Sequence, residues 1–199
     1  MKATDTMRAE HAVIKRVLQC LTKALDQVAH GGTLDGASAA KMIEFFREFA
    51  DRCHHGKEEA HFFPLARQRG VGCVFGSIDS LLAEYEQGRS HVRAMDEHLA
   101  GAAPGDRQAQ TRFCEHARQY VALLAEHIHK EDDCLFSEAD LALSDADQEV
   151  LVGAFERVEQ EEMGAGTHAR FHALADELCT QWQVPIPHKV TRGGGCGHK

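Results

Sequence analysis

The sequence predicts an all-α protein: an up-down-up-down four-helix bundle with two additional short C-terminal helices. Three observations carry this expectation. Apolar residues recur three and four apart along almost all of the 199-residue chain, the period of a helix packed on one face. No segment alternates apolar and polar residues at the period of a strand. The breaks between periodic runs are short and glycine-marked, and only four prolines occur, so helices can run long.

The first predicted helix spans residues 4–29 and stops at Gly31-Gly32. The second spans 38–69, stopped by Gly70, and the third spans 78–102, stopped by "GAAPG". The fourth spans 106–143, with a break expected near Ser137. Ser144 with Asp147 and Gln148 resembles a capping sequence and opens a helix to Met163. "GAG" ends it, and Thr167 is expected to cap a last helix through Trp182. The expected organisation is a bundle over 1–143, a helical extension packed on it over 144–184, and a flexible tail over 185–199.

Composition narrows the function. The formal net charge is −9, with 31 acidic and 22 basic residues, which argues against nucleic acid because phosphate binding needs a basic face. No stretch approaches the ~18 apolar residues of a membrane span, and "MKATDTMRAEH" lacks the apolar core of a signal peptide. A cytoplasmic protein is expected. The seven cysteines (20, 53, 73, 114, 134, 179 and 196) are odd in number and form no C-x-x-C pair. They indicate neither a disulfide framework nor a zinc ribbon, and most are expected to be buried thiols. The fourteen histidines call for an explanation.

Part of it is a phrase written twice. "HHGKEEAHFFP" begins at His54 and "HIHKEDDCLFS" at His127. Aligned, His54 meets His127, Lys57 meets Lys130, Glu58 meets Glu131, and Phe63 meets Phe136. Each copy holds His-x-x-x-Glu, which puts an imidazole and a carboxylate on one helix face. The apolar seams of the four long helices are interrupted at His11, at His54-Glu58-His61, at Tyr85 and at His127-Glu131. In an antiparallel bundle these interruptions gather at one end. Buried carboxylates and imidazoles are costly unless paired or bound to metal. Inward ligands from four helices, with two His/Glu pairs, describe a carboxylate-bridged dinuclear iron site. Other divalent metals suit the same donors.

These motifs, "EH" at Glu10-His11, the two His-x-x-x-Glu phrases and "EYEQGR" at residues 84–89, resemble the hemerythrin HHE cation-binding family. The resemblance covers roughly residues 5–140 and continues more loosely through "VEQEEMGAGTHARFHALADEL". It implies a four-helix bundle holding non-haem di-iron, carboxylate-bridged and oxo- or hydroxo-bridged when oxidised. Carried over by residue, His11, His54 and His127 are the terminal nitrogen ligands, and Glu58 and Glu131 bridge. The family's third-helix histidine is replaced here by Tyr85, with His91 as the alternative. His61 stands as a ligand, a partner of a ligand, or a proton donor. His55, His129, Glu59 and Asp132 are expected in solvent, and Lys57 and Lys130 near the surface. His168 and His172 are expected to pack, with a separate metal site involving Glu161 or Glu162 as the alternative. No role is assigned to Cys196 or His198.

The resemblance implies a small diatomic gas or peroxide as partner. Three functions stand side by side. One is a protein that binds or responds to oxygen, nitric oxide or peroxide. The second is a di-iron enzyme for peroxide decomposition or iron–sulfur cluster repair. The third is a structural or storage metal module.

Overall fold

The computed structural model describes residues 2–72 and 76–187. Cys73, Cys196, His198 and residues 188–199 of the expected tail lie outside the described residues. The described chain forms six helices and no strand, as the periodicity predicts. They are α1 (Ala3–Ala29), α2 (36–68), α3 (Ile78–Ala102), α4 (107–142), α5 (145–162) and α6 (Thr167–Gln181).

The helix ends follow local chemistry. Gly31, with φ +87°, takes the left-handed turn that closes α1, and its neighbour's amide reaches back to the Gln27 carbonyl. Asp35 caps α2, which begins two residues before the expected start, and accepts from the Ser38 amide at 3.1 Å. Ser144 and Asp147 form the expected reciprocal cap of α5. Thr167 does not cap α6. Gly166, at φ +83°, occupies that position, and the Thr167 hydroxyl donates to the Met163 carbonyl instead.

Two of the long helices change pitch at the repeated phrase. Residues 46–55 and 58–62 of α2 and 131–135 of α4 are π-helical, so the wide turn in α2 already begins before the phrase. The Phe63 amide donates to the Glu58 carbonyl, and the Phe136 amide to the Glu131 carbonyl, each five residues back. Pro64 supplies part of the reason in α2, because it has no N–H to continue the ordinary ladder. The second copy has no proline, yet its backbone does the same. A wider turn at both places is a recurrent mark of functional sites.

Two apolar clusters fill the molecule. One joins Ile14, Leu21, Phe46, Phe49, Met95, Phe113, Tyr120 and Leu178. The other joins Ala3, Met7, Phe62, Phe63, Leu81, Leu135, Phe136 and Phe155. α5 adds Leu151 and Phe155 to the second, and α6 adds Phe171, Ala175 and Leu178 to the first. Between the clusters lies a layer of buried polar side chains. No helix among the described residues is long and apolar enough to cross a membrane. Cys20, Cys53, Cys114 and Cys179 are buried free thiols, as expected. Cys134 is disulfide-bonded, which the odd cysteine count could not reveal because it leaves a single bridge open.

Candidate metal centre

Each long helix sends one or two polar side chains into the layer. α1 supplies His11 between Met7 and Ile14, and α2 supplies His54 and Glu58. α3 supplies Tyr85, and α4 supplies His127 and Glu131. All are at most 2 % exposed. The antiparallel heights inferred from sequence therefore meet. Donor atoms of His11, His54, Glu58 and Glu131 all lie within 4.8 Å of one another. The His11 Nε2 is 3.4 Å from Glu131 Oε2, and His127 Nε2 is 3.2 Å from the same oxygen. The Tyr85 hydroxyl donates to Glu58 Oε2 at 2.5 Å and lies 3.4 Å from Glu131 Oε1.

Three atoms of this layer, Glu58 Oε1, Glu131 Oε2 and His127 Nε2, are buried without a hydrogen-bond partner. Such groups cost on the order of 1–3 kcal/mol each. They are two carboxylate oxygens and an imidazole nitrogen, the donors that divalent transition metals take. The residues present therefore fit a metal.

The outer side of each imidazole is fixed by one repeated device. His11 Nδ1 meets Asp132 at 2.7 Å, His54 Nδ1 meets Glu10 at 2.8 Å, and His127 Nδ1 meets Glu84 at 2.8 Å. Each carboxylate in turn accepts from a lysine one turn beyond the histidine. Lys15 holds Asp132 at 2.6 Å, Lys57 holds Glu10 at 2.5 Å, and Lys130 holds Glu84 at 2.6 Å. A carboxylate on the far nitrogen sets the tautomer and turns Nε2 inward, as metal-binding histidines require.

Lys57 and Asp132 thus depart from expectation. Lys57 is fully buried, and Asp132 faces His11 rather than open solvent. His55 is also buried, stacked on Tyr85 with centroids 3.8 Å apart. His129 does point outward, paired with Asp133. His61 is half-buried and has no hydrogen bond or ion pair with the layer among the described residues. The wide turn over residues 58–62 carries it off the face that a 3.6-residue period assigns it. His91 lies elsewhere, its Nδ1 3.1 Å from that of His116, so Tyr85 is the α3 side chain at the layer.

The charges are strongly coupled. Burial, then the charge of Glu131, pushes the Glu58 carboxyl well above its usual range. Burial would also raise Glu131, but the charge of His127 and the close approach of both imidazoles hold it well below. Burial opposes charge on His11 and His127, yet their carboxylate partners raise them to about 9 and about 10. Burial, and then the charge of His11, drops His54 to about 3. A cation in the layer would take the place of the Nε2 protons of His11 and His127.

A second group, Glu10, Glu159 and His168, also places donor atoms close together. The Lys57 ammonium already occupies it, 2.5 Å from Glu10 and 2.6 Å from Glu159. His168 packs on His172 as expected, but also reaches Glu10 at 3.1 Å. Glu161 and Glu162 take no part in that group.

The hemerythrin HHE cation binding domain matches residues 2–139. The chain belongs to that family. No curated protein and no solved structure matches it. The hemerythrin match spans all four helices that feed the layer, and it accounts for cation binding by the His/Glu cluster. It stops before α5 and α6, so Glu159 and His168 are additions to the hemerythrin domain from this chain's own extension.

Proposed function

We propose that the layer holds a carboxylate-bridged pair of non-haem iron ions, and that the protein uses it to bind or respond to oxygen, nitric oxide or peroxide. The observation that carries this reading is the convergence of three inward Nε2 atoms on two buried carboxylates with unsatisfied oxygens. His11 and His54 would hold one ion, His127 with Tyr85 the other, and Glu58 and Glu131 would bridge. Such a pair supplies redox-active coordination of a small oxygen- or nitrogen-containing molecule.

The chain's own residues do the rest. Asp132, Glu10 and Glu84 orient the imidazoles. Phe62, Phe63 and Phe136 cover one side of the layer and exclude water. Tyr85 holds a proton against Glu58. In this reading the bundle of residues 1–143 carries the centre, and residues 144–184 brace its Glu10 side.

A second reading, turnover of peroxide or another substrate, is favoured by one observation: a pocket reaches Tyr85 and His127 from outside. The deciding measurement is metal content and visible absorption after anaerobic Fe(II) loading, before and after air. About two irons per chain with new charge-transfer absorption supports the proposal, and reversal under vacuum favours binding over turnover. One metal per chain with no change in air would overturn it.

A further inference from the structure

The pocket beside the centre has a volume of about 250 Å³ and lies between α2, α3 and α4. Its inner end is formed by His55, Tyr85 and His127. Its outer end is marked by the exposed side chains of Arg47 and Arg93. Tyr85 and Arg93 are eight residues apart on α3, so the pocket extends about 12 Å along that helix. Gly88 lies midway and keeps the wall open: a Cβ there would stand 3.5 Å from Tyr120 Cε2, with Leu123 beyond. The lining is largely apolar, and the volume falls just below the roughly 300–1,000 Å³ of pockets for drug-sized ligands.

The charges around it are nearly all spent. Arg89 is held by Asp51, Glu59 and Glu86. Glu84 is held by Lys130 and His127. Arg47 faces Asp96 and Glu48 at 3.5 Å. Arg93 lines the outer end, is exposed, and has no carboxylate or other partner among the described residues. An apolar chamber with one uncommitted guanidinium at its rim suits a small organic acid whose hydrocarbon end points inward.

We propose that this pocket binds a small aryl or alkyl carboxylate, with its hydrocarbon end against Tyr85 and His127 and its carboxylate on Arg93. Gly88 makes the room, and Arg93 selects the charge. The site adjoins the metal layer and shares Tyr85 and His127 with it; a role as substrate or effector of the centre rests on the iron reading above.

The probe is 3-phenylpropionate, titrated into metal-free and iron-loaded protein by calorimetry, with 3-phenylpropanol and propionate as comparisons. Binding at one per chain is expected, at least tenfold tighter than either comparison compound. Arg93→Gln should lower the affinity for the acid to that for the alcohol. Gly88→Leu should fill the chamber and remove binding, with Leu123→Trp serving if that variant fails to fold. Iron content should be unchanged in each folded variant. No binding to the wild type, or binding indifferent to both Arg93→Gln and the filling variant, overturns the proposal. Binding that persists in a protein taking up no iron overturns the iron reading and leaves the pocket standing.

Discussion

The Nε2 atoms of His11 and His54 face each other at 2.8 Å, so one proton serves both rings. His11 keeps it, because Asp132 stabilises the charge on its other side. His54 stays neutral and accepts, with its Nδ1 proton turned to Glu10. A cation entering the layer must displace that shared proton, the one on His127 and the one on the Glu58 carboxyl. Metal uptake is therefore expected to release about three protons near neutral pH, with affinity rising about tenfold per pH unit for each. Calorimetry in buffers of different ionisation enthalpy measures the release, and a value near zero would contradict this charge arrangement.

The same two histidines set the pH profile of the metal-free protein. Their folded values, about 9 and about 10, lie above the ordinary value of 6.5. A raised value means the folded state holds the proton more tightly. The resulting stability is complete below pH 6.5 and is lost as pH rises through 9 to 10. Glu58, also raised, acts in the same direction from its own ordinary value upward. Thermal melting of metal-free protein should fall in temperature between pH 7 and pH 10. A melting temperature that rises over that interval would show the protons to be elsewhere.

Lys57 is buried between Glu10 and Glu159, 5.8 Å from the Phe155 ring centroid. Lys57→Ala would leave two carboxylates without their cation, one of them deep in the core. The expected loss is about 3–5 kcal/mol, the range for breaking a buried pair. His129→Ala removes an exposed pair with Asp133 and is expected to cost about 0.5 kcal/mol or less. Denaturant unfolding of metal-free protein compares them directly. Equal losses would mean that Lys57 is not buried as the structure has it.

Tyr85→Phe keeps the ring that packs on His55 and removes the hydroxyl on Glu58. The variant should fold, lose about 1–3 kcal/mol, and, if loaded with iron, lose any phenolate charge-transfer band. An unchanged spectrum and iron content would remove Tyr85 from the set of ligands.

The fold was legible because its signal is redundant: four long apolar seams each needed only a period and a stop. The layer was legible because two His-x-x-x-Glu copies interrupted two of those seams at matching heights. What surrounds the layer was not. Glu10 and Glu84 stand inside recognised motifs, but a carboxylate's partner on another helix cannot be counted off along one helix. Lys15, Lys57 and Lys130 did leave a trace, since each follows a seam histidine by three or four residues. That spacing reads as a solvated lysine until a facing carboxylate is known. His61 is half-buried because the wide turn after Glu58 changes the period along the helix and turns it from the seam.

The polar layer also governs cooperativity. It lies across the bundle between two apolar clusters that are joined along α1, α2, α3 and α4. The orphaned polar atoms of the layer loosen that junction, and the end holding Met7, Phe63 and Phe136 becomes a foldon with its own opening equilibrium. A cation bridging ligands from several helices ties both ends to one transition. Occupancy of the layer thus sets whether the domain melts as one unit or as two.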